Sequence, residues 1–497
     1  MKTKPNILWY CSDQQRYDTI NILGNKFIET PNINSLISSG VAFTRAYAQS
    51  PICTSSRASF LTGRYPASHH VYRNGNEYFP PSEKLVTKIL SENDYLCGLV
   101  GKLHIAGAQH NIENRTDDGY NSFDWSHHPY PDIQGNEYSA WLKNEKKVDP
   151  DELFDSIKGS YGPGAPADLH QTTWCTEKSI QFIEKNKNKN WCLTVNPFAP
   201  HPTFHPPKEY LKDHSNLPYP MFKDTDIEHQ IKFKEIDQQS KDSVNPYEYD
   251  GKFDKENAEL PWGERASIPP RNYDSKYIKA CYYGEIEFLD FQFGRIINYL
   301  KENYLYEDTI IIFMSDHGEL LGDHGLLYKG CRFFDSLVRV PLIFSCPNIL
   351  KKNYINNDLV ELIDVTPTIL DLCNLEIPEN IQGISMKNKL VNSEQDDFDK
   401  KSVISEYNDA AGGSTIKKTK EGIEGSRGSM YFDGQYKLNI YHNHNLFELY
   451  DLENDPNEFD NLWYKEGYTD LKHELTIKHF KSFVQTVDGG IRRTKDY

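Results

Sequence analysis

The stretch "TIIIFMSDHGE", residues 309–319, gives the clearest indication of the fold. A run of apolar residues ends abruptly in Asp316, His317 and Gly318. Further short apolar runs have the same character, and most of them also end in polar side chains. They are "NILWYC" (6–11), "YLCGLVG" (95–101), "WCLTVNPF" (191–198) and "VPLIFSC" (340–346). Short apolar runs of this length are typical of strands buried on both faces, so we interpret all of them as strands of a parallel sheet.

Segments with helical periodicity separate these runs. The segment 277–303 places one set of apolar residues on a single helical face: Ile278, Tyr282, Ile286, Leu289, Phe293, Ile296 and Leu300. Strands that alternate with helices predict an α/β fold with a mostly parallel sheet flanked by helices. After about residue 375 the runs become shorter and β-like, which predicts a smaller C-terminal α+β domain with an antiparallel sheet.

This pattern divides the chain into a catalytic domain, 1–375, and a smaller C-terminal subdomain, 376–497. A polar segment, 205–275, is expected to cross the active face of the first domain as an excursion from its core. The chain has 497 residues, which is more than one compact core usually accommodates. Two domains are therefore the natural expectation.

Charge and cysteine content exclude several classes of function. The net charge is −17, which disfavours nucleic acid as a partner, although a locally positive cleft can still bind a small anion. The nine cysteines form no CxxC pair and several lie in apolar runs, as expected of reduced core thiols. Since no apolar segment has the length of a signal peptide or a membrane span, we expect a cytoplasmic protein without a membrane partner. A homo-oligomer remains an open alternative.

The polar side chains that follow the predicted strands are expected to meet at one edge of the sheet. Asp13 and Gln14 follow the first strand, and Asp316 with His317 follows a later one. The carboxyl ends of parallel strands share one edge, where ligands bind in open α/β sheets. These side chains are suited to one divalent cation such as Ca²⁺, Mg²⁺ or Mn²⁺.

A second set of side chains is cationic or imidazole-bearing. Lys102, His104, His201 and Lys329 are candidates for holding an anion and protonating a leaving group. Arg57 and Arg64 are candidates for clamping a tetrahedral oxyanion. Each of these residues taken alone also fits a surface charge or a satisfied core position. The position of Lys102, His104 and His201 just beyond predicted strand ends favours a functional site.

The segment "CTSSRASFLTGR" (53–64) resembles the sulfatase motif C-x-P-S-R-x-x-x-L-T-G-R. The resemblance continues in family order over almost the whole chain. It runs through "PNILWYCSDQQRYD", "TPNINSLISSGVAFTRAYAQSPIC", "GKLHIAG", "PHPTFHPP", "SDHGELLGDHG", "RVPLIF", "DVTPTILDL" and "FELYDLENDPNEFDNL". The chain therefore resembles a type I sulfatase of the alkaline phosphatase superfamily, a group that includes arylsulfatases, choline sulfatases and phosphonate monoester hydrolases.

The resemblance implies an alkaline-phosphatase-like fold and a particular chemistry at Cys53. In the family a separate maturation enzyme oxidises this cysteine to 3-oxoalanine (formylglycine), an aldehyde that hydrates to a gem-diol. One hydroxyl attacks the sulfur of a sulfate ester and the alcohol departs. Deprotonation of the other hydroxyl then eliminates sulfate, so no second attack at sulfur is needed. Cys53 thus has value as a precursor and not as a thiolate.

Roles follow from the resemblance position by position. The positions that match the metal ligands are Asp13, Gln14, Asp316, His317 and the modified side chain of residue 53. Arg57 matches the residue that steadies the diolate, and His104 matches the base of the elimination step. Lys102, His201 and Lys329 match residues that hold the sulfate or assist the leaving group.

Two positions depart from the family pattern. Gln14 stands where an acidic pair often places a second Asp, as in relatives that resemble choline sulfatases and phosphonate monoester hydrolases. The lost negative charge makes Mn²⁺ a rival to Ca²⁺. Ser55 stands where the motif has proline, a position that the maturation machinery reads.

The sequence therefore predicts a hydrolase of sulfate monoesters on a carbohydrate or another small organic molecule. Two alternatives stay open: a phosphonate monoester or phosphodiester hydrolase that uses the same site, and a catalytically silent anion-binding protein in which Cys53 is not converted. Substrate choice is expected to lie in the segments 105–170, 205–275 and 405–430.

Overall fold

The computed structural model of the protein describes residues 4–488 with the exception of 109, 132, 235, 237–241, 253, 392–397, 399, 409–417, 420–421, 424–426 and 443. Most of the predicted specificity segment 405–430 thus lies outside the described residues. No helix in the described part of the chain is long and apolar enough to cross a membrane.

A large twisted sheet forms the centre of the molecule. Its strands in chain order are β1 (Asn6–Ser12), β2 (Gly40–Tyr47), β3 (Leu96–Gly101), β4 (Tyr120–Trp125), β5 (Trp191–Asn196), β6 (Thr309–Ser315), β7 (Arg339–Ser345) and β8 (Tyr354–Glu361). Their order across the sheet is β4-β3-β5-β1-β6-β7-β2-β8. The pairs from β4 to β6 are all parallel, and so is the pair of β2 with β8. The predicted mostly parallel α/β sheet is confirmed.

The direction of one strand differs from the prediction. The run 340–346, expected to be parallel, forms β7, which pairs antiparallel with both β6 and β2. The link from β6 to β7 contains two short helical turns, Asp323–Gly325 and Asp335–Val338, and no long helix of the kind that usually forms a parallel crossover. The prediction was wrong on direction because apolar content reports burial and not strand orientation.

Helices cover both faces of the sheet. In chain order they are α1 (Pro31–Ser38), α2 (Cys53–Thr62), α3 (Pro66–His69), α4 (Val86–Glu92), α5 (Glu137–Trp141), α6 (Pro150–Asp155), α7 (Gln171–Asn186), α8 (Thr225–Gln230), α9 (Lys255–Glu259), α10 (Trp262–Arg265), α11 (Ser275–Glu302), α12 (Asp335–Val338), α13 (Val365–Leu372), α14 (Lys387–Leu390) and α15 (Thr469–Thr486). Alternate residues of β1 enter two separate cores: Ile7 and Trp9 pack with α2, α4 and α13, and Leu8 and Tyr10 pack with α1, α7 and α11. A central strand buried on both faces explains its continuous apolar sequence.

The long helix α11 confirms the predicted periodicity. Every residue of the predicted face is at most 1% exposed, from Ile278 to Leu300. Asp274 caps the amino end by accepting hydrogen bonds from the backbone N–H groups of Lys276 and Tyr277. Full burial of such side chains contributes about 1.5–3 kcal/mol each, so packing and not helix propensity holds α11 in place.

The C-terminal part contains the predicted antiparallel sheet. Its strands are β9 (Val403–Tyr407), β12 (Arg427–Phe432), β13 (Tyr436–His442) and β14 (Leu446–Asp451), in the order β14-β13-β12-β9. A two-stranded pair, β10 (Lys418–Thr419) and β11 (Gly422–Ile423), precedes β12. One apolar cluster joins Tyr47 and Phe333 to Met430 and Tyr441, so the second sheet packs on the first. The proposed boundary between 375 and 376 remains a prediction.

Candidate active site

The candidate site lies at the carboxyl ends of the parallel strands β1, β3, β5 and β6. The loops after these strands and the amino end of α2 bring the candidate residues together. These are Asp13, Gln14, Cys53, Arg57, Lys102, His104, His201, Asp316, His317 and Lys329. All of them are at most 9% exposed. The structure therefore places every residue that the family resemblance assigned within one buried cluster.

Four of these side chains form a group that can hold a metal ion. Asp13, Cys53, Asp316 and His317 each offer a ligand atom, and these atoms all lie within 4.8 Å of one another. The Sγ of Cys53 is 3.0 Å from Nε2 of His317. The other ring nitrogen of His317 donates to the carbonyl of Gly318 at 2.9 Å, so Nε2 is the ring nitrogen that faces the group. The donor set fits a divalent cation.

Arg57 and Lys102 neutralise the carboxylates of this group. The Nε of Arg57 donates to Asp316 at 2.9 Å, and Nη2 reaches Asp13 at 3.4 Å. The ammonium of Lys102 donates to Asp13 at 2.5 Å. Burial alone would raise the pKa of Asp13, but Lys102 and the other nearby cationic groups outweigh it and hold the pKa well below its usual range. Burial likewise opposes charge on Lys102, and Asp13 keeps the pKa of that ammonium raised.

Lys329 contacts both Gln14 and His201. Its ammonium donates to Oε1 of Gln14 at 2.6 Å and lies 2.7 Å from Nε2 of His201. The Nδ1 of His201 donates to the carbonyl of Pro202 at 2.6 Å, so Nε2 is the acceptor for the ammonium. Burial, and after it the charge of Lys329, lowers the pKa of His201 well below its usual value. His201 is accordingly a neutral imidazole next to a cation.

The other end of the Gln14 amide faces a carboxylate. Its Nε2 donates to Oε2 of Glu319. Glu319 also accepts the backbone N–H groups of Leu321 at 2.9 Å and Tyr328 at 2.5 Å. Because a carboxylate only accepts, this contact directs the amide oxygen of Gln14 toward Lys329 and the metal-capable group.

Hydrogen bonds fix both the backbone and the imidazole ring of His104. Its φ of 57° is in the left-handed region, which is unfavourable for a residue with a Cβ. The carboxylate of Glu113 accepts the N–H groups of His104 at 2.7 Å and Ile105 at 2.8 Å, together with the indole N–H of Trp125 at 3.0 Å. The ring Nε2 is 2.9 Å from Oγ1 of Thr54, the residue after Cys53. Burial and the charge of Lys102 lower the pKa of His104 well below its usual value.

Arg64 does not belong to this site, and its predicted role in clamping an oxyanion is wrong. It lies beyond the end of α2, which closes at Thr62 with a left-handed Gly63. There it forms ion pairs with Glu83 at 2.9 Å and Asp488 at 2.5 Å. Its guanidinium therefore stabilises the far end of the helix.

Sequence reasoning missed Glu113, Glu319 and the histidine pair His127 and His128. Glu319 lies in the quoted "SDHGE" block, so its position next to the predicted ligands was a signal. Glu113 had none, because the loop that brings it back to His104 has no periodicity. His127 and His128 follow β4, which the sequence analysis did not identify as a strand.

Comparison with known proteins places these residues in a family context. The family model described as "Sulfatase" matches residues 5–375, and the model described as "N-sulphoglucosamine sulphohydrolase, C-terminal" matches residues 322–484. An arylsulfatase of Clostridium perfringens is 28% identical over 533 residues, which cover 99% of this chain and 98% of that protein. An N-acetylglucosamine-6-O-sulfatase of Bacteroides thetaiotaomicron is 25% identical over 511 residues, with 95% and 85% covered.

A solved structure supports the fold independently. The phosphonate monoester hydrolase of Agrobacterium radiobacter aligns with a TM-score of 0.79 at 22% identity, covering 98% of this chain and 96% of that one. At this level of identity the likeness establishes a shared fold.

Proposed function

The chain belongs to the sulfatase family of the alkaline phosphatase superfamily and is a hydrolase of that class, and on this premise we propose that it cleaves sulfate monoesters with a nucleophile made from Cys53. The observation that carries the proposal is the position of Cys53. This side chain begins α2 and is 1% exposed, and its Sγ belongs to the buried group that can hold a metal ion.

Cys53 is well placed to be a precursor of the nucleophile. When a maturation enzyme has oxidised the thiol to an aldehyde, the hydrate supplies one hydroxyl for attack on sulfur and a second whose deprotonation expels sulfate. His104 is the proposed base for that deprotonation, because its imidazole is neutral and contacts the neighbour of Cys53, Thr54. Arg57 is the proposed group that steadies the resulting negative charge, since it lies one helical turn along α2 from Cys53.

The proposed metal ligands are Asp13, Gln14, Asp316, His317 and residue 53. A divalent cation bound there would favour the deprotonated nucleophile and neutralise charge that develops on the sulfate oxygens. Three carboxylate or amide side chains and one imidazole suit Ca²⁺ or Mn²⁺. Arg57 and Lys102 supply further positive charge that balances the carboxylates of Asp13 and Asp316.

Lys102, His201 and Lys329 are proposed to hold the sulfate and assist the departing alcohol. The ammonium of Lys102 donates to Asp13, a member of the metal-capable group. The ammonium of Lys329 donates to Gln14, which is a further proposed metal ligand. Two ammonium groups near Cys53 match the charge of a tetrahedral sulfate. His201 accepts from Lys329, so a proton can reach the leaving alcohol oxygen from this pair.

The proposed substrate is the sulfate ester of a saccharide or another small organic molecule. The name of one relative, N-acetylglucosamine-6-O-sulfatase, favours a saccharide. The proposed partner in maturation is a formylglycine-generating enzyme. Ser55, which replaces the motif proline, is 1% exposed in the folded protein, so that enzyme would have to read this position before folding is complete.

A phosphonate monoester or phosphodiester is the second candidate substrate. Gln14 in place of an acidic ligand and the similarity to a phosphonate monoester hydrolase fold favour it. A direct test compares kcat/KM for 4-nitrophenyl sulfate with that for 4-nitrophenyl phenylphosphonate on the same matured sample. The sulfatase proposal expects the higher value for the sulfate, and a preference for the phosphorus ester would overturn it.

The third candidate is a protein that binds anions without catalysis because Cys53 stays a thiol. The chemical state of residue 53 separates this candidate from both hydrolases. The buried set of acid, base and cationic residues argues against it, since binding alone needs no such combination.

A further inference from the structure

His127 lies at the same edge of the sheet as the proposed catalytic residues. It follows β4, the parallel neighbour of β3, two residues beyond Trp125. Its ring packs edge-on against the ring of His104, with centroids 4.4 Å apart and an interplanar angle of 86°. None of the roles proposed above uses this side chain.

Both ring nitrogens of His127 are shielded from solvent, and in the described part of the chain neither has a hydrogen-bond partner. The histidines of the proposed machinery differ, since His104, His201 and His317 each have at least one. A buried polar group without a partner costs about 1–3 kcal/mol. Such a group in a native site calls for a ligand or an ordered water.

The neutral form of His127 has one donor and one acceptor. Burial, followed by the nearby His104 and Lys102, lowers the pKa of His127 well below its usual value. A neutral imidazole carries one N–H group and one lone pair. The two ring nitrogens point in different directions, so one needs a partner that accepts and the other a partner that donates, and a hydroxyl group can serve at either.

Aromatic rings extend from this region toward the sulfate-holding residues. Trp262 of α10 lies 4.7 Å from the ring of His128 and 5.8 Å from that of Phe198. Phe198 in turn lies 4.5 Å from the ring of His201. Ligand sites are commonly built in this way, from apolar and aromatic walls with a few placed polar groups.

We infer that His127 selects substrates by hydrogen-bonding a hydroxyl of the saccharide ring next to the sulfated carbon. The sugar hydroxyl makes a hydrogen bond with one ring nitrogen, a second hydroxyl or an ordered water pairs with the other, and the ring carbons pack on the aromatic wall. An aryl sulfate or a choline-type sulfate has no such hydroxyl and leaves His127 unpaired. This inference rests on the proposed sulfatase function and adds to it the residue that selects a saccharide over other sulfate esters.

The test measures kcat/KM for matured enzyme on 4-nitrophenyl sulfate and on the monosulfates of glucose, galactose and N-acetylglucosamine, each with a free hydroxyl beside the ester. Three variants are compared with the unmodified chain. His127→Phe keeps the ring but removes both polar atoms, and His127→Asn keeps one donor and one acceptor. His473→Phe makes the same change on the exposed face of α15, far along the chain from the site.

The expected result is a fall of about 10- to 100-fold in the ratio of kcat/KM for the best saccharide sulfate to that for the aryl sulfate in His127→Phe. His127→Asn should recover most of the ratio, and His473→Phe should leave it unchanged. Because both substrates are measured on one sample, any loss of folded protein cancels from the ratio.

Other outcomes overturn the inference in distinguishable ways. An equal fall with both substrates assigns His127 to support of His104, and an unchanged ratio means that it holds an ordered water only. Cleavage of the aryl sulfate alone by the unmodified chain also contradicts the inference while the proposed function stands. If residue 53 is converted and no sulfate ester is cleaved, the proposed function itself fails.

Discussion

Two buried lysines show how a site differs from a structural cluster in this protein. Lys102 follows β3 at the proposed active site, and Lys437 lies in β13 of the second sheet. Both are at most 1% exposed, and both contact a carboxylate at 2.5 Å. Burial opposes the charge of each, and carboxylates keep the pKa of each raised.

The difference lies in the remaining hydrogen bonds. The ammonium of Lys437 donates to Asp335 at 2.5 Å, to Glu458 at 2.9 Å and to the carbonyl of Phe333 at 3.2 Å, which uses all three of its N–H groups. Lys102 donates to Asp13 alone among the described acceptors. The structural cluster is therefore closed, and the site retains donors for a ligand.

The largest expected effect comes from changing the nucleophile precursor. Cys53→Ser keeps the size of the side chain but cannot form a gem-diol, so a serine sulfate would need a second attack at sulfur. Turnover of 4-nitrophenyl sulfate should fall by about 10³-fold or more, in line with losses on removing a nucleophile. The melting temperature should stay close to that of the unmodified chain. Multiple turnovers at an undiminished rate would contradict the account.

Lys102→Met tests the open cluster. The change removes the donors proposed for sulfate and keeps the length of the stem, so kcat/KM for the aryl sulfate should fall by about 10²–10³-fold. Asp13 keeps its contact with Arg57, and the loss of stability should be smaller than that of the matched change at Lys437. Denaturant unfolding measured beside the kinetics checks both parts.

Lys437→Met tests the closed cluster. Removal of the ammonium that contacts both Asp335 and Glu458 leaves two buried carboxylates with less compensation, and the free energy of unfolding should fall by about 3–5 kcal/mol. Activity per folded molecule should not change, because the hydrogen bonds of Lys437 to described residues reach no proposed catalytic residue. If Lys102→Met proved the more destabilising of the two, the distinction between open and closed clusters would be lost.

Glu319 extends the comparison of buried charged groups to a carboxylate. Both of its oxygens accept hydrogen bonds, and one of them holds Gln14, a proposed metal ligand. Glu319→Gln lets the Gln14 amide turn its nitrogen toward the metal, and affinity for Mn²⁺ should fall by about 10- to 100-fold. Calorimetric titration with Mn²⁺ measures this without an assay of activity. Glu448→Gln, the same change at a buried carboxylate of β14, is the matched control and should leave the affinity unchanged.

Much of the fold could be predicted because burial of a strand or of a helix face requires apolar residues at regular positions in the sequence. The apolar runs of β1, β3, β5 and β6 and the period of α11 each report which faces are covered. The pattern of apolar residues does not depend on strand direction, and this is why β7 was wrongly predicted to be parallel. The strands β2, β4 and β8 were missed because their mixed sequences, such as "YNSFDW" in β4, lack both continuous apolar character and strict alternation.

The site could be predicted in its main members because they follow strand ends and match a family motif. Residue type alone did not separate Arg57, which pairs with Asp316, from Arg64, which pairs with Glu83 beyond the end of α2. The motif assigned a role to Arg57 only. The residues that hold the site in place lie at sequence distances that only the tertiary fold sets. Glu113 reaches back to the backbone of His104 through an irregular loop, and no periodicity predicts such a contact.

The measurement that tests the central claim most directly is peptide mass spectrometry of the fragment that carries residue 53, from protein made together with a formylglycine-generating enzyme. The account predicts the aldehyde mass and its capture by a hydrazide. An unmodified thiol in the presence of a maturation enzyme that converts a control peptide with the motif proline would contradict the account. The buried cluster would then be a site that binds anions without the nucleophile proposed here.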